Sequence, residues 1–449
     1  MASPRSCTAR RSLSTCNEFE ASPGAKYSEP LGLLWFSHEV ALNIRLLRSW
    51  YMERTYWERT ALAVWAAVLT VVCVRAFLAP DSRTVYPIFS SSGLFWMTGT
   101  DLYSPDRPIE APTGYRYSPA CTLLFVPFAL LPDALGGVAW RLFSVGVLLA
   151  ALAWFARTVL RVPFSTKHFA WLLLLTLPLS LQSVNNGQAN IVVIGAMLAA
   201  VAAVCVQRWN LACALLAFSF ACKLYPITLG MVLVSLYPRH LGWRLALALA
   251  VTIALPFALQ DFSYVTKQYS DWIEILGRED RSAIALDQMY RDLWLLLHLY
   301  GAPVSRSAYK LIQLAGGVIV ALACIRGQRK GWSEPKLLTF ATACTTAWMM
   351  LLGPATESSS FALLAPVIAW SVVERLVSRE REWRELLLAA SCVFFTVAVI
   401  AGGWNATLGL HAFGVYSWAS LCYFVYLLVE SRSIRIAEPA CYYQKKLAV

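Results

Sequence analysis

Charge is scarce in this sequence. Asp, Glu, Lys and Arg together make up 14% of the 449 residues, whereas hydrophobic residues make up 58% and the mean hydropathy is +0.55. Soluble domains carry about 25% charged residues, so the composition excludes an ordinary soluble protein and predicts a polytopic membrane protein. In such a chain the net charge of +12 is first a signal of topology, and it does not require a nucleic-acid partner.

Metal-binding motifs are also lacking. The twelve cysteines stand singly without a CxxC pair, and the five histidines form no HExxH motif, so a zinc hydrolase has no support. No metal and no other cofactor is expected. Residues 1–30 are polar and contain no apolar h-region, so they do not predict a cleavable signal peptide. We expect residues 1–58 to be a disordered cytoplasmic tail, with Met52 as an alternative start.

Long apolar runs are what the sequence does contain. The first, 61–79, has 19 residues, or about 28 Å of helix, which matches a bilayer core. We predict an all-α membrane domain over residues 60–430 with about twelve crossings, followed by a cytoplasmic tail at 431–449. The predicted spans are 61–79, 136–160, 168–184, 190–206, 211–222, 224–237, 243–259, 307–325, 337–352, 361–377, 386–401 and 416–429.

The distribution of charge predicts which loops lie outside. Four arginines precede the first span, which places the N-terminus in the cytoplasm. The outer segments then hold 9 of the 38 Lys and Arg residues but 13 of the 26 Asp and Glu residues, as the positive-inside rule requires. Every polar motif falls on this outer side, where we expect the chemistry. The outer segments are 80–135, 185–189, the turn at Lys223, 260–306, 353–360 and 402–413.

The first long outer loop opens with Asp81, directly after the first span. A carboxylate at the mouth of a membrane cavity can be partly desolvated, which raises its pKa towards that of a general base. An ordinary solvated loop residue is the simpler interpretation. Asp101 and Asp106 in the same loop are alternative bases.

Two polar segments could contact a sugar. The segment at 115–132 contains three prolines that should break a helix, which predicts a re-entrant or interfacial segment with Tyr117 beside a sugar or lipid. The motif NNGQAN at 185–190 offers the amides of Gln188 and Asn190 to hydroxyl groups. The structural alternative for Tyr117 is an ordinary tyrosine at the membrane interface, and for the motif at 185–190 it is a plain turn.

Lys223 is the sharpest single signal. It lies in FACKLYPITLG with apolar residues on both sides, and Pro226 should break the helix there. An ionisable residue at membrane depth is costly and is functional by default. A broken helix with a lysine suits a phosphate group, whereas snorkelling to the interface is the structural alternative.

Two later outer segments add charged groups. In the second long loop, Gln288 and Arg291 precede a short amphipathic helix, and the fork of an arginine suits phosphate oxygens. The alternative is that Arg291 pairs with a neighbouring aspartate. The motif GPATESSS at 353–360 supplies one carboxylate, Glu357, between two spans.

Taken in order, these residues resemble glycosyltransferase family 87, the polyprenyl-phosphate-dependent membrane mannosyltransferases and their relatives in the C-type superfamily. The resemblance covers roughly residues 60–415 and depends on the order and spacing of the motifs. They are Asp81 with Tyr86, GTDLY at 99–103, the segment at 115–132, NGQAN at 186–190, KLYP at 223–226, DQMYRDLWLLLHLYG at 287–301 and GPATESS at 353–359.

The resemblance implies a C-type architecture and a transfer reaction. Such enzymes move a sugar from a polyprenyl-phosphate donor to a lipid or glycan hydroxyl at the outer face, with an acid after the first helix as base. That acid corresponds to Asp81, and Tyr86 and Tyr225 join the expected substrate-binding residues. We expect a hexose, with mannose favoured, or a pentose. The resemblance also implies a prokaryotic inner membrane, although the topology suits an endoplasmic-reticulum protein equally well.

Two other functions stay open at this point. A transporter or flippase of lipid-linked sugars would also use a lysine in a broken helix, but such transporters often show internal repeats, and the sequence has none at a fixed period. A structural protein of an envelope complex is the third reading. It predicts that changing Asp81 affects local packing alone.

Overall fold

The computed structural model describes residues 55–103, 114–160, 165–278, 289–354, 356–378, 382–402 and 413–433, and these residues belong to one compact unit. They are almost entirely helical, and no strand occurs within those ranges. The predicted all-α fold class is therefore confirmed. Most of the two predicted tails, 1–58 and 431–449, lies outside the described residues.

The described ranges contain sixteen α-helices and two 3₁₀ helices, at Leu255–Ala258 and Ser358–Leu363. In chain order the α-helices are α1 Tyr56–Leu78, α2 Tyr86–Thr98, α3 Pro119–Ala129, α4 Asp133–Thr158, α5 Thr166–Asn186, α6 Asn190–Cys205, α7 Trp209–Cys222, α8 Ile227–Leu236, α9 Pro238–Ala254, α10 Phe262–Arg278, α11 Leu293–Leu299, α12 Arg306–Arg329, α13 Glu334–Leu352, α14 Ala365–Ser378, α15 Glu385–Gly402 and α16 Val415–Ser433.

Each predicted span coincides with a helix, with ends that shift by a few residues. Among the described residues, four helices are long and apolar enough to cross a membrane: α1, α4, α9 with its extension to Ala258, and α12. The total of twelve crossings stays a prediction.

The two segments predicted to be long outer loops contain more helix than the sequence analysis predicted. Helix α2 begins with Pro87 in its first turn and ends at Gly99, which adopts a left-handed φ of +69°. Helix α10 is strongly amphipathic and buries Val265 and Gln268 against the first loop, because Gln268 Oε1 accepts from the N–H of Leu102 at 2.7 Å. The predicted helix after Arg291 is present as α11.

The expectation that prolines interrupt the segment 115–132 is wrong over most of its length. Helix α3 is regular for 11 residues. Pro119 lies in its first turn, where the missing N–H removes no helical hydrogen bond, and the Ser118 hydroxyl accepts from the N–H of Cys121 at 3.2 Å. Pro127 falls in the last turn, where only the final hydrogen bonds are affected.

Helix α6 forms the centre of the bundle. Nearly all of its side chains are buried, and it packs between α4 and α7. The contact with α4 is close at Gly195, where an added Cβ would lie 2.8 Å from Val147 Cγ1. The polar segments before α3, between α5 and α6, between α7 and α8, and after α13 meet at one end of this core, where they form the site described next.

Candidate active site

A chain of hydrogen bonds joins three of the predicted substrate-binding residues. The Tyr117 hydroxyl donates to Gln188 Oε1 at 3.0 Å, and Gln188 Nε2 lies 3.4 Å from Glu357 Oε2. Ser359 adds a hydroxyl at 3.4 Å from the same carboxylate oxygen. Burial, followed by the charge of Glu357, raises the pKa of Tyr117, so its hydroxyl stays protonated and can donate.

Local structure explains how Tyr117 and Gln188 reach each other. The Ser118 hydroxyl donates to the carbonyl of Ala221 at 2.6 Å, which attaches the segment before α3 to the end of α7. The Tyr103 hydroxyl donates to the carbonyl of Tyr117 at 2.6 Å. Gly187 ends α5 with a φ of +67°, and this turn directs Gln188 towards Tyr117.

Lys223 lies beside the hydrogen-bonded side chains of Tyr117 and Gln188, at the predicted helix break. Helix α7 ends at Cys222, Lys223 is extended, and α8 begins after Pro226. Its Nζ lies 5.5 Å from the ring centre of Tyr225 and 6.0 Å from that of Tyr117. Tyr225 is buried, and its hydroxyl has no partner within the described residues.

The first turn of α8 does not leave its backbone N–H groups free for an anion. The first N–H groups of α8, those of Ile227, Thr228 and Leu229, donate to carbonyls three residues earlier at 3.1–3.2 Å. The positive charge at this break is therefore carried by the Lys223 side chain. Lys223 is half-buried and has no carboxylate partner in the part of the chain that is described.

The turn that carries Glu357 is held from several sides. Asn190, fully buried, donates to the carbonyl of Ser359 at 3.0 Å, and the N–H of Arg291 donates to the carbonyl of Thr356 at 2.7 Å. Glu357 itself is exposed. The predicted site residues Asn190 and Arg291 thus lie next to Glu357 in space, although Asn190 contacts backbone and points away from solvent.

A second polar group lies on the other side of Ser359. Gln182 donates to the Ser358 hydroxyl at 2.8 Å, and the Tyr416 hydroxyl lies 3.4 Å from Gln182 Oε1. The sequence analysis missed Gln182, Ser358 and Tyr416. A glutamine one turn before the end of an apolar span was the available signal for the first of them.

Asp81 occupies the exposed turn between α1 and α2. This turn is attached to the segment before Gln188, because the Val85 N–H donates to the carbonyl of Asn186 at 2.9 Å and the Thr84 hydroxyl donates to it at 3.1 Å. Asp81 therefore lies at the same end of the bundle as the Tyr117–Gln188–Glu357 chain, but no hydrogen bond among the described residues connects it to that chain.

The alternative acids are placed differently. Asp101 forms an ion pair with Lys267 and accepts from the N–H of Tyr103 at 2.8 Å, so its carboxylate is occupied. Asp106 lies outside the described residues, as does the predicted site residue Gln288. Within the described ranges no three acidic, histidine or cysteine side chains are grouped to hold a metal ion.

Tyr86 is placed apart from these polar groups. It is buried, and its hydroxyl donates to the carbonyl of Phe128 at 3.1 Å. The ring packs against Gly136 and Gly137, and a Cβ on Gly136 would lie 2.1 Å from the Tyr86 oxygen. The structure thus gives Tyr86 a packing contact between α2, α3 and α4, and its predicted contact with substrate stays a prediction.

A helical bundle with apolar, membrane-length helices and a polar cluster at one end defines an integral membrane protein with a one-sided site. The profile of glycosyltransferase family 87 matches residues 115–354, just over half of the 449 residues, and the chain belongs to that family. The match includes Tyr117, Gln188, Lys223 and Arg291, whereas Asp81, Tyr86 and Glu357 lie outside it.

One curated relative and two crystal structures are similar to the chain. The relative is the polyprenol-phosphate-mannose-dependent alpha-(1-2)-phosphatidylinositol pentamannoside mannosyltransferase of Mycobacterium tuberculosis, 22% identical over 70% of this chain and 73% of that protein. ArnT from Cupriavidus metallidurans matches with a TM-score of 0.40 in its apo state (14% identity, 83% of this chain, 78% of that one). The structure of the same ArnT bound to undecaprenyl phosphate matches with a TM-score of 0.34, at 14% identity over 83% of this chain and 77% of that one.

Proposed function

We propose that this protein transfers a hexose from a polyprenyl-phosphate donor to a hydroxyl of a lipid or glycan acceptor, at the outer face of a prokaryotic inner membrane. Membership of a glycosyltransferase family supports the transfer reaction. The mycobacterial relative is a polyprenol-phosphate-mannose-dependent mannosyltransferase, which supports a polyprenyl-phosphate donor and mannose as the sugar. The acidic outer loops support the outer face as the side of the reaction.

The single observation that carries the proposal is the hydrogen-bonded chain of Tyr117, Gln188 and Glu357 beside Lys223. A phenol, an amide and a carboxylate offer both donors and acceptors, which are the groups that bind sugar hydroxyls. A lysine without a carboxylate partner next to them is free to bind an anionic phosphate. A sugar phosphate presents these two chemistries side by side.

In this mechanism Lys223 binds the donor phosphate, and Arg291 assists. Tyr117, Gln188, Tyr225 and Glu357 contact the sugar or acceptor, and Asn190 supports them by holding the turn at Ser359. Gln288, outside the described residues, belongs to the same proposed set. Tyr86 supports the site through the hydrogen bond from its hydroxyl to the carbonyl of Phe128.

The chemical step is an inverting displacement. Asp81 removes the proton of the acceptor hydroxyl as the hydroxyl oxygen attacks the anomeric carbon. The bond from that carbon to the phosphate oxygen breaks on the opposite face, and the electron pair leaves with the polyprenyl phosphate. Lys223 stabilises the negative charge that grows on this oxygen. The leaving group is a lipid monophosphate, so the step does not require a metal ion.

Asp81 is exposed and has no ion pair within the described residues, so it fits the base better than Asp101, whose carboxylate is taken by Lys267. Asp81 also lies in a turn attached to the Asn186 carbonyl, two residues before Gln188. A flippase would need neither this base nor the sugar-binding groups in fixed positions. The base and the groups around Gln188 therefore separate the two functions experimentally.

The test measures transfer from radiolabelled polyprenyl-phosphate mannose into membrane lipids. Wild type, Asp81→Asn and the matched control Asp101→Asn are compared at equal expression. We expect Asp81→Asn to lower the rate by roughly 10²–10⁴-fold with donor binding retained, and Asp101→Asn to keep transfer. Equal activity of Asp81→Asn and wild type would reject Asp81 as the base. Absence of transfer by the wild type, with movement of donor across vesicles, would establish the flippase instead.

A further inference from the structure

Two arginines converge on one asparagine beside the Asp81 turn. Arg75, at the end of α1, donates from Nη1 to Asn185 Oδ1 at 2.5 Å and from Nη2 to the carbonyl of Ser82 at 3.2 Å. Arg141, in α4, donates from Nη2 to the carbonyl of Asn185 at 2.7 Å. The two guanidinium groups are therefore neighbours, although the sequence separates them by an entire loop.

All the partners of these two arginines are neutral. Besides Asn185, Arg141 contacts the carbonyl of Gly137 at 2.9 Å and the Thr84 hydroxyl at 3.0 Å. Neither arginine has an ion pair within the described residues. The nearby carboxylate of Asp133 accepts a hydrogen bond from Ser90 at 3.0 Å, and Asp81 is exposed in its turn.

The absence of a counter-charge is costly at this depth. Arg141 is only 3% exposed, and its Nε is buried without a partner. Buried charges in proteins are paired as a rule, because removing an ion from water is energetically costly. A neutral glutamine or tryptophan would satisfy the same carbonyls without that cost. Two adjacent cations with no anionic partner among the described residues therefore indicate that a ligand supplies the anion.

The surroundings suit a phosphate more than a carboxylate side chain of the protein. Arg75 is half-buried, so its planar fork can still reach a group that enters from the outer surface. Arg83, exposed in the same turn with a left-handed φ of +49°, adds a third positive charge. Gly187 leaves room for the guanidinium of Arg141, since a Cβ there would lie 3.3 Å from its Nη2.

We infer that Arg75 and Arg141 form an anion site that binds the phosphate group of a lipid substrate beside the Asp81 turn. Arg75 contacts the phosphate oxygens, and Arg141 behind it supplies positive charge and fixes Asn185. The phosphate is that of the polyprenyl donor or that of a phospholipid. This site adds a phosphate-binding group to the proposed function. It rests on that function only for the identity of the lipid.

The test is binding by the full-length detergent-solubilised protein, in the absence of sugar transfer. Undecaprenyl phosphate and phosphatidylglycerol are the two phosphate probes, and undecaprenol is the phosphate-free control. The variants are Arg75→Gln, which keeps a donor for Asn185, and Arg75→Lys, which keeps the charge. Lys310→Gln removes an exposed positive charge near the N-terminal end of α12 and serves as the matched control.

We expect Arg75→Gln to bind one phosphate lipid about tenfold more weakly than wild type. Arg75→Lys should lose less affinity for that lipid, and Lys310→Gln should bind it as wild type does. Binding of undecaprenol should be equal in all variants. Loss confined to undecaprenyl phosphate identifies the donor, and loss confined to phosphatidylglycerol identifies a phospholipid. Unchanged affinity for both phosphates, or an equal loss for undecaprenol, overturns the site.

The result is independent of the catalytic proposal. If Asp81→Asn transfers sugar normally while Arg75→Gln still loses phosphate binding, the base assignment fails and the anion site stands. Arg75→Gln could instead alter only the thermal stability of the protein and leave the affinity for both phosphate lipids unchanged. In that case the two arginines only stabilise the turn at Asn185. The anion site then fails, while the proposed transfer reaction stands.

Discussion

The hydroxyl of Tyr117 donates a hydrogen bond to Oε1 of Gln188 at 3.0 Å, across 71 residues of sequence. This bond orients the Gln188 amide so that its nitrogen faces Glu357. The same tyrosine ring faces the ammonium of Lys223. One side chain thus connects the groups proposed for the sugar with the group proposed for the phosphate.

Tyr117→Phe should weaken sugar binding without loss of the ring. The variant removes the hydroxyl that holds Gln188 and keeps the aromatic face beside Lys223. A hydrogen bond contributes about 1 kcal/mol, so we expect KM for the donor to rise about fivefold with kcat little changed. Steady-state transfer kinetics measure both constants. A Tyr117→Ala control should lose more, and equal effects of the two variants would contradict a role for the hydroxyl.

Glu357→Gln separates a binding carboxylate from a catalytic base. The amide keeps the size of the side chain and an oxygen for Gln188, but it removes the charge. We expect a rise in KM of about tenfold and a kcat within a few fold of wild type, as for a lost charge-assisted hydrogen bond. A fall in kcat of two or more orders of magnitude would instead assign the base to Glu357.

Lys223→Met should affect the chemical step. The methionine fills similar volume but cannot stabilise charge on the leaving phosphate. Removal of one such group costs about 10²–10³ in kcat. Single-turnover transfer measures the step directly, and Lys223→Arg should restore part of the rate. A normal rate in Lys223→Met would place the donor phosphate elsewhere and would favour the site at Arg75.

Gly187→Ala should destabilise the turn before Gln188. The residue has a φ of +67°, and the new methyl group would press on Arg141 and Thr84 at 3.3–3.4 Å. A left-handed non-glycine residue costs roughly 1–2 kcal/mol, so Tm should fall. Gly146→Ala is the matched control, because its Cβ would meet open space on α4 and should stabilise by about 0.5–1 kcal/mol. Equal shifts in Tm would contradict this account.

Lys267→Met tests two ion pairs, one that attaches α10 to the segment at Asp101 and one, with Asp271, that lies within α10. Asp101 and Asp271 both accept from Lys267, and these bonds raise the pKa of the lysine. The stabilisation is therefore complete below the ordinary lysine pKa and disappears as pH rises past the raised value. The pairs are largely exposed, so we expect a difference under about 1 kcal/mol.

Thermal unfolding of wild type and Lys267→Met between neutral pH and pH about 11 measures this pair. The two Tm values should differ at neutral pH and converge at the alkaline end. A difference that persists where the lysine has lost its proton would show that the packing of the lysine stem, and not its charge, stabilises α10.

The helices of the membrane domain were predictable because their cause is local. Runs of apolar residues bounded by polar turns locate α1, α4, α12 and the other spans whatever their neighbours are. The break at Lys223 is local too, since Pro226 has no N–H to continue a helix. Helix α2 was not predicted, because a run of serines is typical of a loop. In the structure Ser90 and Ser92 are buried, and the helix packs against α3 and α4.

The cluster around Gln188 could be predicted only in part. Tyr117, Gln188, Lys223 and Glu357 were each identified by residue type and position in a break between apolar runs. Their mutual contacts depend on which ends of which helices meet. Arg75 and Arg141 could have been found as lone charges in apolar spans. Their convergence on Asn185 could not have been found in this way.

The sequence by itself determined that this is an all-α membrane protein whose polar motifs lie between apolar helices, because hydropathy acts on each segment separately. Only the tertiary structure decided that Tyr117 faces Gln188, that Asp101 is occupied by Lys267 while Asp81 is open, and that Tyr86 is packed against Gly136. The reason is that hydrogen bonds and ion pairs between distant segments depend on the packing of whole helices, which no single segment specifies.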